Sequence, residues 1–506
     1  MANQEQAGRT EREAVPLNAA NLRSLPEGVA VPTYDRSAVT PGIVHFGVGG
    51  FHRAHQAMYL DQLMNNGEAL DWGIVGVGVL EHDKKMADVF AASDCLYTLM
   101  VKEPDGTQDL RVIGSIIDYR YAPDDPAAVV DLLADPQIRI VSLTITEGGY
   151  NFHHVTGEYN AGNPLVSSDV ENPEAPRTVF GLVVRALQLR RERGIAPFTV
   201  MTCDNIPENG HVARKSFVSH ARLVDAELAD WIDAEVPFPN SMVDRITPAT
   251  TAEDIAAVAG HGVADQWPVV CEPFTQWALE DNFVDGKRPG YDTVGVQVVE
   301  DVTPYELMKL RLLNATHQGL CYFGHLAGYR LVHDVARDPD FAAFLLAYMR
   351  QEGEPTLPEV PGVDLATYQQ TLIERYSNEY VRDTVARLCA ESSDRIPKWL
   401  LPVIRENIAA GRPVTLSAAV VASWARYAEG VDEEGEPIKV VDQLADQLVP
   451  LARQQRDDPL AFVKNTEVFG DLAEQQEFTQ PYLATLESLH QKGSRRTLGD
   501  IVAALE

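Results

Sequence analysis

The stretch 42–63 constrains this chain most. A short apolar run, Gly42-Ile-Val-His-Phe46, passes directly into Gly47-Val-Gly49-Gly50-Phe51-His-Arg53-Ala54-His55 and then into a helix-like segment through Leu63. Strand, glycine turn and helix in that order predict a parallel sheet with helices on its faces. Gly47 permits a tight turn, Gly49 lets a pyrophosphate approach the backbone, and a helix N-terminus favours negative charge. His52 stands where the dinucleotide fingerprint has its third glycine, with the small Ala54 shortly after. An ordinary glycine turn between strand and helix accounts for these residues as well.

The next residues extend the pattern. A second strand is expected at 72–79, with Glu81 and Asp83 just after it. An acidic side chain there would accept from ribose hydroxyls and repel a 2′-phosphate, favouring NAD over NADP, although Lys84 and Lys85 sit beside it. Further strands are expected at 139–145 and 197–201, with a helix at about 177–193 between them and Gly194 placed to end it. Residues at the carboxyl ends of parallel strands line the ligand crevice, so Glu147 and Asn205 become site candidates by position. A strand-like piece at 238–248 ends in Asp244 and Arg245.

From Thr303 the pattern turns mostly helical, with helices expected at 338–352, 366–390, 403–410, 414–429, 438–455 and 470–492. The fold class is therefore α/β: a Rossmann-like dinucleotide-binding domain over 1–290, with residues 1–15 as a loose arm, and a mainly α-helical domain over 291–506. The segment 303–328 opens with Thr303, Pro304 and Glu306, the residues of a capped helix start. Its body is apolar almost all round, which predicts burial, and into it are set Lys309, Asn314 and His317. At about 100° per residue Asn314 lies roughly 140° and His317 roughly 80° from Lys309, so one broad face carries all three. A buried lysine has its pKa pushed toward neutrality and can serve as a general base, while an amide nearby can donate to a developing oxyanion. The same residues also fit a lysine that snorkels to water beside satisfied core polar groups.

Composition bounds the partners. A formal charge of −32 argues against nucleic acid or an anionic membrane. The five cysteines are widely spaced with no Cys-x-x-Cys pair, as expected of reduced core thiols and not of a disulfide frame or a zinc site. The polar first fifteen residues lack a signal-peptide core, and no apolar run is long enough to span a bilayer, so the cytoplasm is expected. No sustained heptad or strand-edge signal suggests an obligate assembly, leaving a monomer as the expectation.

Five motifs in order now carry a resemblance: Gly47-Val-Gly-Gly-Phe-His-Arg-Ala-His55, Thr144-Ile-Thr-Glu-Gly-Gly-Tyr150, Cys203-Asp-Asn-Ile-Pro207, Met242-Val-Asp-Arg-Ile-Thr-Pro248, and Lys309 with Asn314 and His317. From about Leu17 to the C-terminus the chain resembles the long-chain polyol dehydrogenase family, also called the mannitol dehydrogenase family. The resemblance implies a zinc-independent enzyme that exchanges a polyol and its ketose with NAD. It implies Lys309 as acid/base, Asn205 and Asn314 as the amides that hold the reacting oxygen, His317 as the group orienting substrate, and Glu147 as a carboxylate passing the proton to water. It implies Asp244, Arg387 and Arg395 on the polyol, and Gly47, Gly49, Gly50, Phe51, Arg53 and Asp83 on the cofactor. Arg395 replaces a lysine found in relatives, and His82 replaces a glutamate. Within the family, D-mannitol and D-fructose are the expected pair, with D-arabinitol or a uronate such as fructuronate as alternatives. Two other readings are a Tyr305-x-x-x-Lys309 pair of the short-chain type and a catalytically silent dinucleotide sensor.

Overall fold

The computed structural model of the chain describes residues 14–153 and 157–505. Two compact units divide between Val302 and Thr303. Most of the arm expected at 1–15 lies outside the described residues; its end, Val15–Pro16, is a strand paired in parallel with Val263–Ala264.

The first unit is built on a five-stranded parallel sheet: β1 (Pro41–Phe46), β2 (Gly73–Gly78), β3 (Ile116–Tyr121), β4 (Ile140–Leu143) and β5 (Thr199–Thr202), in the spatial order β3-β2-β1-β4-β5. The four strands β1, β2, β4 and β5 are buried almost throughout, as strands covered on both faces are, while the edge strand β3 carries Asp118 and Arg120 and is only partly buried. Alternate side chains separate cleanly. Ile43, Ile74 and Ile140 enter one core with Leu60, Leu63 and Phe90, while Val44, Val77 and Val141 enter the other with Leu133, Leu182 and Phe217. The α/β, Rossmann-type reading of this half holds. Sequence reasoning missed the antiparallel pair Tyr97–Lys102 and Gln108–Ile113, which joins Val29–Ala30 and Val269–Cys271 in a four-stranded sheet. The strand-like piece at 238–248 contains Ser241–Asp244, antiparallel to Gln276–Glu280.

The second unit is helical, with three corrections to the expected elements. The helix expected at 366–390 is two, Leu365–Tyr376 and Val385–Cys389. Arg382 between them has φ 55° and Thr384 caps the second, so the chain cannot run through as one helix. Of 438–455 only Ala445–Gln454 is helical. Before it, Asp442 accepts from Ser393 N and Leu444 N, both at 2.8 Å, and so holds a loop. The largest correction concerns 303–328. Here Thr303–Met308 and Ala315–Leu326 are α-helical, but Lys309–Asn314 is a π-helix.

Burial of neutral imidazoles makes the first unit sensitive to acid. His220 is 1% exposed, with Nδ1 3.1 Å from the Tyr159 hydroxyl, and burial pushes it down to about 4. Burial likewise takes His45 down to about 3. Both groups titrate lower in the fold than in the unfolded chain, where histidine sits near 6.5. Their stabilisation is therefore complete above pH ~6.5 and is lost as pH falls toward the folded values. Between pH 6.5 and 5 the loss is about 1.5 kcal/mol for each. Unfolding free energies from urea titrations at those two pH values are expected to converge by that amount in His220→Gln, and an unchanged gap would rule the assignment out.

Candidate active site

In the first unit the candidate residues gather at the carboxyl ends of β1, β4 and β5, where the strand order reverses between β1 and β4. Gly47 has φ +87°, and a Cβ there would lie 2.1 Å from Thr144 O. Only glycine fits. The turn is closed by Gly49 N donating to Gly47 O (2.7 Å) and by Thr144 Oγ1 donating to the same oxygen (2.7 Å). Gly49 is exposed, and a Cβ on it would meet nothing nearer than 3.8 Å. Its backbone is open to a bulky ligand, as a dinucleotide requires. His52, in the third-glycine position, is buried and stacks on His45 of β1 with ring centroids 3.3 Å apart. The departure from the fingerprint thus keeps helix against strand through flat ring packing.

Arg53 is 1% exposed and donates to Trp267 O at 2.6 Å and Gly49 O at 3.3 Å. It braces the turn from behind. Phe51 stacks on His55 at 4.8 Å. Asp83 lies just past β2, its Oδ2 accepting from Val79 N and Leu80 N at 2.9 Å each. Lys84 pairs with Asp124 at 3.2 Å, and Lys85 lies 4.1 Å from the Trp267 ring centroid. The two lysines next to Asp83 are therefore engaged elsewhere. Glu147 and Asn205 are exposed on the loops after β4 and β5, and Asp244 is buried at the end of its strand.

In the second unit Lys309, Asn314 and His317 are 7%, 6% and 9% exposed. The π-helix changes their relation. With i→i+5 bonding, a residue lies about one turn above the residue five before it, so Asn314 stands over Lys309 and not 140° away. Side-chain hydroxyls donate to three carbonyls of this turn. Tyr348 donates to Arg311 O at 3.2 Å, Thr316 to Leu312 O at 2.5 Å and Leu313 O at 2.9 Å, and Tyr376 to Leu313 O at 3.1 Å. Gly353 completes the seat, since a Cβ there would lie 2.9 Å from Leu312 Cδ2. Among the described residues the buried Asn314 side-chain oxygen has no hydrogen-bond partner, which leaves it able to take one from a ligand. The His317 ring packs 4.9 Å from that of Tyr376.

Arg387 is committed bidentately to Asp383, with bonds of 2.7 and 2.5 Å. Burial works to raise the Asp383 carboxyl, but the Arg387 bonds outweigh it and hold the group below its ordinary range. Arg395 donates to Arg387 O and Leu388 O, both at 3.2 Å, and so steadies the backbone beneath Arg387. Asp383 escaped sequence reasoning; its i,i+4 spacing to Arg387 was the available signal. Tyr305 is 2% exposed and its hydroxyl donates to Pro361 O at 2.7 Å. That bond occupies the group a short-chain mechanism would need. Tyr305→Phe is expected to keep turnover within about threefold, since it removes one neutral hydrogen bond; in steady-state assays, a loss matching that of Lys309→Ala would revive the short-chain scheme. Among the described residues no group of three or more His, Cys, Asp or Glu is placed to hold a metal ion. No helix among them is long and apolar enough to cross a membrane.

Strand order, switch-point glycine turn and acidic residue past β2 define a Rossmann-type dinucleotide-binding unit, here followed by a helical unit carrying a buried lysine. Known proteins specify this further. The mannitol dehydrogenase Rossmann domain profile matches residues 41–292 and the mannitol dehydrogenase C-terminal domain profile matches 301–490. Mannitol dehydrogenase 2 of Saccharomyces cerevisiae is 43% identical over 97% of this chain and 98% of its own length. A mannitol 2-dehydrogenase of Aspergillus fumigatus is 44% identical over 95% and 98%. Among solved structures, the Pseudomonas fluorescens mannitol 2-dehydrogenase ternary complex with NAD and D-mannitol shares 46% identity over 97% of this chain and all of that one, with a TM-score of 0.83. A substrate-free D-sorbitol dehydrogenase shares 40% identity over 95% and 100%, with a TM-score of 0.91. The chain belongs to the mannitol dehydrogenase family.

Proposed function

We propose that this chain is an NAD-dependent dehydrogenase that interconverts D-mannitol and D-fructose, with Lys309 as general acid and base. The observation that carries the reading is a buried lysine with Asn314 one π-turn above it, the amide oxygen of Asn314 having no hydrogen-bond partner among the described residues. The chain also shares 46% identity with a mannitol 2-dehydrogenase seen with NAD and D-mannitol. NAD, when bound at the glycine turn, supplies the hydride acceptor. Gly47 and Gly49 would admit its pyrophosphate, and Asp83 would receive its ribose hydroxyls.

The protein has two tasks left: moving one proton and stabilising the oxygen that loses it. Lys309 takes the hydroxyl proton at Nζ in oxidation and returns it in reduction. The amides of Asn314 and Asn205 donate to the oxygen as charge develops, each worth roughly 10²–10³ in rate by analogy with oxyanion-hole donors. His317 orients the polyol, Asp244, Arg387 and Arg395 hold its remaining hydroxyls, and Glu147 passes the lysine proton to water. None of these roles calls on a metal.

The D-sorbitol dehydrogenase likeness keeps a second alditol in view. Mannitol and sorbitol differ in configuration at C2, so reduction of fructose reports the hydride face directly. With NADH, in EDTA, fructose is expected to give mannitol and to react faster than xylulose, fructuronate or tagaturonate. Sorbitol as the product, or fructuronate as the faster substrate, would overturn the assignment.

A further inference from the structure

The first unit holds a buried carboxylate to which the roles above give no part. Asp204, directly before Asn205, is 6% exposed. Its Oδ1 accepts from Thr146 N at 2.8 Å, and its Oδ2 accepts from Ile145 N at 3.1 Å and the Tyr150 hydroxyl at 2.7 Å. These three donors span the loop that carries Glu147. The loop is strained there: Thr146 has φ 65°, ψ 167°, a region open essentially to glycine and costing about 1–3 kcal/mol for other residues. Such a conformation persists only where its surroundings hold it, and Asp204 takes the amides of Thr146 and its neighbour.

The network continues to the third candidate. The Asn209 side-chain amide donates to Asp204 O at 2.9 Å and Ser241 O at 2.7 Å, while its oxygen accepts from Ser241 N at 2.9 Å. Ser241 opens the strand that ends in Asp244, and its hydroxyl donates to Thr202 O at 2.6 Å. One connected set of bonds, part-buried at the Ile145 and Thr146 amides and buried elsewhere, therefore ties together the backbone bearing Glu147, Asn205 and Asp244.

We propose that Asp204 is a positioning residue, which clamps the strained Glu147 loop against the Asn205 turn and, through Asn209, registers both with the Asp244 strand. The proposal rests on the function assigned above, because the three residues it positions take their meaning from that reaction. A fully satisfied buried network of this kind fixes a single geometry. Misplacement of catalytic groups by about 1 Å can cost roughly 10²-fold in rate. Burial raises the Asp204 carboxyl, and the hydrogen bonds from Tyr150, Thr146 and Ile145 offset that only in part.

The test combines Asp204→Asn with Thr146→Gly. Asparagine turns a donor toward backbone N–H groups that need an acceptor, so the loop should leave its strained conformation. Asp204→Asn is expected to lower kcat by about 10–100-fold with NADH affinity within about threefold, scaled from the misplacement cost above. Glycine adopts the Thr146 conformation without strain, so Thr146→Gly alone should stay near wild-type, and in the double variant it should restore at least roughly tenfold of the lost kcat. A residue needed only for general stability would show no such recovery. Hydrogen exchange across 145–150 reads the clamp without any substrate: protection at Ile145 and Thr146 should fall in Asp204→Asn. Lost protection in an enzyme that turns over no polyol would sink the assigned reaction and leave the clamp standing. Wild-type kcat with unchanged protection, or a kcat loss that Thr146→Gly does not recover, would overturn the clamp. Should Asp204→Asn not fold, Tyr150→Phe removes one donor to the same carboxylate. Reduced kcat with NADH binding kept would then support the proposal, and unchanged kcat would overturn it.

Discussion

Lys309→Ala is expected to lower kcat for fructose reduction and mannitol oxidation by about 10²–10⁴-fold, the range of a lost general acid–base, while NADH binds within a few-fold of wild-type. The two effects separate because they arise in different units. Lys309 opens the π-turn of the helical unit and is 7% exposed. The glycine turn and Asp83, which would hold NAD, lie in the parallel-sheet unit. Alanine also removes a long side chain from a buried position, so a stability loss of about 1–3 kcal/mol is expected alongside. Fluorescence titration of NADH and steady-state rates on the same preparation distinguish a catalytic loss from a folding loss. A weakened NADH titration in step with kcat would mean that the lysine holds structure or cofactor instead.

The second large effect is at the glycine turn, where two neighbouring glycines should fail differently. Gly47→Ala forces a side chain onto φ +87° with its Cβ 2.1 Å from the Thr144 carbonyl oxygen. β1 and β4 must then part, at a cost of about 3–5 kcal/mol. Gly49→Ala meets no atom of the chain within 3.8 Å, so thermal stability should hold. What it loses is the close backbone approach of a pyrophosphate, and NADH affinity should fall by at least tenfold, about 1.4 kcal/mol. Equal stability of the two variants, or unchanged NADH affinity in Gly49→Ala, would show that the turn is an ordinary connection.

Much of the first unit is legible from residues alone, for a physical reason. Strands buried on both faces are short apolar runs ended by glycine and polar residues, and 42–46, 72–79 and 197–201 are of that kind. The antiparallel pair at Tyr97–Lys102 and Gln108–Ile113 is not, because polar residues such as Arg111 and Gln108 interrupt it. The helical unit is legible in type but not in detail. Nothing in the apolar rhythm of 303–328 announces a π-turn, because that turn is set by tertiary partners. Tyr348, Thr316, Tyr376 and Gly353 secure it, and three of these four lie tens of residues downstream. An ideal α-helix therefore groups the right residues but misplaces them on the surface. The Asp204 network stayed hidden for a related reason. A carboxylate beside Asn205 reads as an exposed turn residue until the strained Thr146 backbone comes to rest on it.

The most direct measurement of the central claim is chemical rescue of Lys309→Ala by small primary amines. If Lys309 moves the proton, an added amine that enters its place should restore part of the fructose reduction rate, saturably, with a Brønsted dependence on amine pKa. A Lys309→Ala enzyme that retains near-wild-type turnover and does not respond to amines of any pKa would contradict the account.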